Sequence, residues 1–253
     1  MCGIAGFNLS PSENVDALAL SRHLLLEIER RGRHATGVAF RDETTGSEPV
    51  VIKEAVTASD FVQNMWIPAT ARNVICHTRF TTQGSELINA NNHPVDVNGI
   101  VGVHNGMIWN DDDLFDLIGS DLRIAQVDSE AIFASLLHRA DGTKRVLESV
   151  EGSAAIAWMN TAEAADVLNL SRIASSPLEF GFTEQGSFVF ASTYEAMMSA
   201  AAEVGMFVTD SYSMKEGHFM QIQSGRITRS YDFENWEASW GLTPQERQAL
   251  DLA

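Results

Sequence analysis

The chain has very few cysteines and no leader that would direct it out of a reducing compartment. Only Cys2 and Cys76 occur among its 253 residues, and no basic segment precedes an apolar stretch at its start. Disulfides form in oxidising compartments, and export signals carry such a leader. We therefore expect a cytoplasmic protein in which the two cysteines are not joined. Cys76 lies in an apolar run, which favours a buried strand residue over a reactive thiol.

Basic residues are also scarce. The chain has 17 lysines and arginines against 34 acidic residues, so its formal net charge is −17. Nucleic acids and anionic membranes are bound by basic patches, so we expect neither as a partner. No apolar run approaches the ~20 residues of a membrane-spanning helix. The remaining composition, 45% hydrophobic and 20% charged, is ordinary for a globular protein with a buried core.

Hydrophobic periodicity predicts strands towards both ends of the chain, with helices between them. The predicted strands are 2–8, 36–40, 50–53, 74–79, 100–104, 154–159, 167–171, 188–191, 218–223 and 227–231. The predicted helices are 15–29, 58–65, one capped by Asn110, 129–140, 143–149 and 194–203. This order indicates an α+β fold of sheets layered with helices. A polar loop is predicted over 80–98, and loops of that length are usually functional or disordered.

The second residue carries the most chemical information. Removal of Met1 would leave Cys2 with a free α-amine and a thiol on the same residue. An α-amine titrates at about 7.7–8.0, so near pH 7 a neutral fraction can accept the thiol proton. One residue then supplies both nucleophile and base. A small buried strand residue explains an isolated cysteine equally well, so the choice depends on the motifs that follow.

Five short motifs follow Cys2 in order along the chain. They are Arg31-Gly32-Arg33-His34-Ala35-Thr36-Gly37, His77-Thr78-Arg79-Phe80-Thr81-Thr82-Gln83-Gly84, Asn92-His93-Pro94, His104-Asn105-Gly106 and Val127-Asp128-Ser129-Glu130. Each is weak alone, but the ordered set resembles class II glutamine amidotransferase domains, which are N-terminal-nucleophile hydrolases. The glutaminase half of glucosamine-6-phosphate synthase is the member it resembles most. The resemblance spans roughly residues 2–233 and implies a four-layer αββα sandwich.

The resemblance also implies the roles of nine residues. Its catalytic positions, which supply the nucleophile, orient it and stabilise the oxyanion, are Cys2, Arg31, Asn105 and Gly106. Its substrate-binding positions are Arg79, Phe80, Thr82, His93 and Asp128. Physical chemistry agrees, because amide cleavage through a thioester needs donors aimed at the oxyanion. A guanidinium fork suits the α-carboxylate of glutamine, and a carboxylate suits its α-ammonium.

Several of these residues also have structural interpretations. Arg79 could form a surface ion pair, Asp128 could cap the helix that follows it, and His93 could be a loop histidine satisfied by backbone. The Asn105-Gly106 pair could form a tight turn, which would itself expose the two donors.

A metal site is not expected. The three histidines of the motifs have neither the short spacing nor the supporting carboxylate of a zinc site; they are His77, His93 and His104. We therefore expect no metal and no cofactor.

Three positions depart from the family pattern. Gln83 stands where the nearest relatives have histidine, His34 stands where they have aspartate, and Phe80 replaces a tryptophan. We expect these departures to alter substrate affinity and loop closure without abolishing glutamine cleavage.

The expected activity is hydrolysis of L-glutamine to glutamate and ammonia through a Cys2 thioester. No synthase-like segment follows residue 233, so we expect the ammonia to pass to a separate synthase. Residues 234–253, which include Trp236 and Trp240, would pack on the domain or on a partner chain. Two alternatives stay open: an amidase for another amide or γ-glutamyl compound, and a glutamine-sensing regulatory subunit with little turnover.

Overall fold

The computed structural model describes residues 1–42 and 48–234, and these contain thirteen strands and six α-helices. The strands are β1 (Gly3–Asn8), β2 (Ala35–Arg41), β3 (Val50–Glu54), β4 (Asn73–Arg79), β5 (Val95–Val97), β6 (Ile100–Ile108), β7 (Gly152–Asn160), β8 (Val167–Arg172), β9 (Glu179–Thr183), β10 (Phe188–Ala191), β11 (Val208–Ser213), β12 (His218–Gln223) and β13 (Arg226–Asp232). The helices are α1 (Ala17–Ile28), α2 (Ala58–Asn64), α3 (Asp111–Ile118), α4 (Ser129–His138), α5 (Thr143–Ser149) and α6 (Tyr194–Glu203).

The strands form two antiparallel sheets. The first has seven strands in the order β11-β9-β10-β1-β4-β2-β3, and the second has six in the order β13-β12-β8-β7-β6-β5. In the first sheet β1 pairs with β4, with Gly3 opposite Thr78. In the second β6 pairs with β7, with Asn105 opposite Ala155. The pairing of β1 with β4 brings Cys2, the residue before β1, close to the end of β4.

Three buried clusters fill the spaces between four layers. Helices α1, α2 and α6 cover the outer face of the first sheet, where Phe7 packs with Leu24. Helices α3, α4 and α5 cover the outer face of the second, where Ile156 packs with Phe133. A third cluster, which includes Ile4, lies between the sheets. The predicted four-layer αββα arrangement is confirmed.

Side-chain alternation determines what faces the gap between the sheets. Ile75 and Val103 belong to the inner cluster. Successive side chains of a strand point to opposite faces, so His77 and Asn105, two residues further along their strands, face the same gap. The gap is apolar over most of its extent and polar at the end where Cys2 lies.

Parts of the sequence prediction are wrong. The loop 80–98 does not run unbroken, because it contains a 3-10 turn at Asn89–Asn91 and strand β5. Asn110 is the N-cap residue of α3 as predicted, but its side chain makes no capping bond: its amide donates to Ser149 O, and its side-chain oxygen accepts from the Glu151 amide. It therefore ties the end of α5 to the start of β7. Strands β9 and β11 were also not predicted.

Other expectations concern the cysteines and the tail. Cys2 and Cys76 are free thiols, and Cys76 is buried in β4, where burial raises the pKa of its thiol. None of the helices in the described part of the chain has the length and apolar character needed to cross a bilayer. The tail residues Trp236 and Trp240 lie outside the described residues.

Candidate active site

Cys2 lies directly before β1, against the end of β4. The backbone amide of Phe80 points at the Cys2 Sγ over 3.4 Å, and the Phe80 carbonyl oxygen is 3.6 Å from the same sulfur. Arg31 Nε donates to the carbonyl oxygen of Cys2 over 2.8 Å. The strand end therefore contacts the thiol, whereas Arg31 restrains the backbone of Cys2.

Gly32 makes this close approach possible. A side-chain carbon at Gly32 would lie 2.4 Å from the carbonyl carbon of Arg79 and 2.6 Å from the amide nitrogen of Phe80. Both distances are shorter than any real contact, so only glycine lets the turn after Arg31 pack on the end of β4. Close packing against the end of β4 therefore explains why a glycine follows Arg31 in the first motif.

The Asn105-Gly106 pair lies within β6 and is not a tight turn. Asn105 is 2% exposed, and its Nδ2 has no hydrogen-bond partner among the described residues. Gly106 has a φ of 153°, and a side-chain carbon there would lie 1.7 Å from Ser153 O. A buried donor without a partner costs about 1–3 kcal/mol, so such a group calls for an explanation. An oxygen atom of a bound molecule would satisfy it.

Arg79 is buried and organises the loop that follows it. Its Nη1 donates to Asn92 Oδ1 over 2.8 Å, and its Nη2 donates to the carbonyl oxygens of Gln83 and Gly84 over 2.6 and 2.8 Å. The surface ion pair considered for Arg79 is wrong, because the residue is buried and no ion pair involves it among the described residues. All three partners are neutral, so no carboxylate neutralises this guanidinium by direct contact.

Asp128 is fixed by two backbone amides. Its Oδ1 accepts from the Ser129 amide over 2.8 Å at the start of α4, and its Oδ2 accepts from the Ile108 amide over 2.7 Å. The predicted helix-capping contact is therefore present. The carboxylate also ties α4 to the strand that carries Asn105 and Gly106.

Electrostatics shows that Cys2, Arg79 and Asp128 lie within reach of one another. Burial raises the pKa of the Cys2 thiol, and the charge of Asp128 adds to that rise. The Phe80 backbone amide, the N-terminal ammonium of Met1 and Arg79 lower this pKa. Because the pKa is raised overall, the thiol holds its proton near neutral pH and needs a base to become nucleophilic.

Three histidines form a buried group behind these residues. The rings of His77 and His93 stack with their centroids 4.2 Å apart, and His77 Nε2 is 3.1 Å from the carbonyl oxygen of His104. Burial lowers the pKa of His77 to about 3 and holds that of His93 well below its usual range, so both rings are neutral. Neither ring nitrogen of His93 has a partner among the described residues, so the backbone-satisfied loop histidine is wrong.

The remaining predicted positions are exposed. Phe80 is 46% exposed, and its ring stacks on His34 with centroids 5.1 Å apart, so its backbone rather than its ring contacts Cys2. Thr82 lies exposed on the following loop. Among the described residues, no group of three or more histidine, cysteine and acidic side chains could hold a metal ion.

Sequence reasoning missed two residues that shape the loop. Asn92 accepts from Arg79 and donates to Glu86 O over 2.7 Å, so it closes the loop on itself. His34 accepts from the Thr81 amide. Both residues lie inside motifs that the sequence analysis quoted. Asn92 is next to His93, and His34 is one of the positions that depart from the family pattern, so these motifs could have pointed to both residues.

Comparison with known proteins identifies this architecture. The four layers, with a cysteine against the end of a central strand, are the fold of the solved amidotransferase structure that the chain matches. Residues 77–199 match the family model described as a glutamine amidotransferase domain. This part of the chain, a little under half of its length, is therefore similar to a glutamine amidotransferase domain.

Solved structures share the fold at low sequence identity. Glutamine phosphoribosylpyrophosphate amidotransferase from B. subtilis is 21% identical, with a TM-score of 0.71 over 92% of this chain and 49% of its own. A structure described as the allosteric regulatory enzyme of purine biosynthesis is also 21% identical, with a TM-score of 0.72 and the same coverages. This chain spans about half the length of these two.

A third structure corresponds to this chain over nearly its whole length. It is described as a glutamine aminotransferase class-II domain protein from Silicibacter pomeroyi. It is 14% identical, with a TM-score of 0.57 over 92% of this chain and 98% of its own. A search of curated protein sequences gave no match.

Proposed function

We propose that the chain hydrolyses L-glutamine to glutamate and ammonia, with Cys2 as the nucleophile after loss of Met1. One observation carries the proposal. The Cys2 thiol lies against the end of β4 and interacts electrostatically with Asp128, and the Asp128 carboxylate holds the strand that carries the buried, unpartnered amide of Asn105. A nucleophile and an unused donor are the two groups that acyl transfer from an amide requires.

The reaction follows from these groups. The free α-amine of Cys2 takes the Sγ proton, and the sulfur attacks the side-chain carbonyl carbon of glutamine. Asn105 Nδ2 and the Gly106 amide donate to the oxyanion that forms. Collapse of this intermediate breaks the C–N bond, and the α-ammonium returns its proton to the departing ammonia. Water then cleaves the thioester with the same amine as base, which releases glutamate and restores the thiol.

Two further residues support free glutamine as the substrate. The Arg79 guanidinium lacks a directly bound carboxylate among the described residues, so it suits the α-carboxylate of glutamine. Asp128 carries a buried carboxylate whose oxygens are positioned by backbone amides, and it suits the α-ammonium. Arg31 would orient Cys2, while Phe80, Thr82 and His93 would complete the substrate pocket.

The destination of the ammonia forms a second part of the proposal. The family transfers the glutamine amide, so we propose a separate acceptor enzyme as the partner of this domain. A cytoplasmic location remains a prediction from the two free cysteines. An amidase for other amides and a glutamine sensor remain the alternatives, and the Cys2–Asn105 arrangement favours turnover over sensing.

Ammonia release tests the proposal against both alternatives. Protein lacking Met1 would be assayed for ammonia release from L-glutamine and L-asparagine, and for aniline release from a γ-glutamyl anilide. Preference for glutamine, loss of turnover in Cys2→Ala and its retention in Cys76→Ala support the proposal. Cys76→Ala is the matched control because it removes the other free thiol. Faster release from another amide indicates the general amidase, and tight glutamine binding without turnover indicates the sensor.

A further inference from the structure

We propose that His34 is a positioning residue: its neutral imidazole holds the backbone of Phe80 and Thr81 against the Cys2 thiol, and a protonated imidazole releases it. The expected effect of His34 on the glutamine KM rests on the proposed glutamine hydrolysis, whereas its expected effect on the backbone of residues 79–84 does not.

Three contacts join His34 to three consecutive residues. Its backbone amide donates to Arg79 O over 2.9 Å, its ring stacks on Phe80, and its Nδ1 accepts from the Thr81 amide over 2.9 Å. The middle residue of the three is the one whose amide points at the Cys2 Sγ. His34 therefore acts on the peptide segment that contacts the nucleophile, without touching the nucleophile itself.

The hydrogen bond to Thr81 requires one protonation state. A backbone N–H can only donate, so His34 Nδ1 must be unprotonated and its proton must lie on Nε2. An imidazolium carries protons on both nitrogens and cannot accept. Gain of a proton therefore removes the acceptor of the Thr81 amide.

The charged groups around His34 include one that would attract a protonated ring. Glu86 lies on the same loop, accepts from the Thr81 hydroxyl over 3.2 Å, and interacts electrostatically with His34. Its carboxylate would attract an imidazolium away from the Thr81 amide. The Arg79 guanidinium also interacts electrostatically with Glu86, while Arg33 is paired with Glu29 at 2.6 Å. Glu86 can therefore bind the protonated ring of His34 when that ring releases the Thr81 amide.

Loosening of this segment would affect glutamine binding first. Gln83 and Gly84, two and three residues beyond Thr81, supply the carbonyl oxygens that hold the Arg79 guanidinium. A mobile segment would let Arg79 lose its orientation toward the α-carboxylate. We expect the glutamine KM to rise about three- to tenfold between pH 8 and pH 5.5, the factor of one ordinary hydrogen bond.

Matched variants separate the Nδ1 contact from other effects. Asparagine at position 34 places an oxygen acceptor near the Nδ1 position and does not titrate, whereas glutamine places its amide near Nε2. We expect the glutamine KM of His34→Asn to stay constant from pH 8 to pH 5.5. His34→Gln and His34→Ala should show a raised KM already at pH 8. A wild-type pH dependence in His34→Asn, or a wild-type KM in His34→Ala at pH 8, would overturn the proposal.

Hydrogen exchange of the peptide containing residues 79–84 tests the anchor without any turnover. After correction for the intrinsic rate, its protection should fall from pH 7.5 to pH 5.5 in the wild type and not in His34→Asn. This shift in protein that lacks glutaminase activity would refute the proposed function and support the anchor. Glutamine turnover with equal protection in the two proteins would support the function and refute the anchor.

Discussion

His77 Nε2 and the carbonyl oxygen of His104 lie 3.1 Å apart across the gap between the two sheets. The carbonyl can only accept, so the neutral His77 ring must carry its proton on Nε2 and donate it. This bond fixes the peptide that leads into Asn105, on a strand whose next residue, Gly106, tolerates no side chain. The position of the proposed oxyanion donors thus depends on a buried histidine of the facing sheet.

A first prediction concerns that bond. His77→Asn places its amide near the Nδ1 position and should leave His104 O without its donor, which costs about 1–3 kcal/mol of unfolding free energy. His77→Gln places an amide nitrogen near Nε2 and should retain more stability and more turnover. Urea unfolding and kcat would be measured for both variants. Equal losses in the two would mean that the hydrogen bond has no particular role.

Asn105 should act on the chemical step. Asn105→Ala removes the unpartnered donor, so we expect kcat for glutamine to fall about 10²–10³-fold with little change in glutamine affinity. Steady-state kinetics and glutamine binding by calorimetry would measure the two effects. Asn110→Ala, which removes an amide of structural function, is the control and should leave kcat largely intact. A purely affinity-based loss in Asn105→Ala would argue against an oxyanion role.

Arg79 should act on substrate recognition. Arg79→Lys keeps the charge and loses the planar fork, so we expect glutamine binding to weaken by about 1.5–3 kcal/mol, the range for hydrogen bonds to charged groups. The same change should matter less for an analogue that lacks the α-carboxylate. The test is to measure KM for glutamine and for this analogue in the wild type and in Arg79→Lys. An equal loss for both would show that Arg79 only supports the loop.

The buried histidines predict a pH dependence of stability. The pKa of His77 is lowered to about 3, and those of His93 and His104 are also lowered, with burial as the largest cause. The unfolded chain binds these protons at about pH 6.5 and the folded chain does not. Stability is therefore fully present above pH 6.5 and declines as the pH falls toward 3, by up to about 1.4 kcal/mol per pH unit per histidine.

Urea unfolding between pH 4.5 and 8 would measure this slope. His77→Gln removes one of the buried titrating groups and should make the decline shallower below pH 6.5. His138→Gln, a change at an exposed histidine, is the control and should not. A stability that stays constant from pH 8 to pH 4.5 would contradict the burial of neutral histidines.

The sequence predicted those elements whose apolar spacing is regular. α5 and α6 match their predicted ranges, and β1 and β4 match to within one residue. β11 was missed because it is a mostly exposed edge strand. Its polar sequence, VTDSYS, lacks the alternation of apolar and polar residues that predicts a strand. β9 carries Gly181 at its centre, and β5 has only three residues. In such strands pairing with neighbours, rather than local composition, decides the conformation.

The sequence suggested the residue types of the candidate site, but it could not predict their contacts. The ordered motifs single out Cys2, Arg79 and Asn105 because the chemistry demands those groups. The stacking of His93 on His77 and the bond from Thr81 to His34 join residues that are 16 and 47 positions apart. No local pattern specifies such pairs, since they result from the pairing of distant strands, such as β2 with β4, and from the packing of the loop that follows β4.

Covalent labelling of the processed protein tests the central claim most directly. Protein lacking Met1, verified by intact mass, would be treated with 6-diazo-5-oxo-L-norleucine, a glutamine-like electrophile, and its peptides mapped by mass spectrometry. We predict one adduct per chain, on Cys2, protected by glutamine and absent when Met1 is retained. An adduct on Cys76, or equal labelling with and without Met1, would contradict the account.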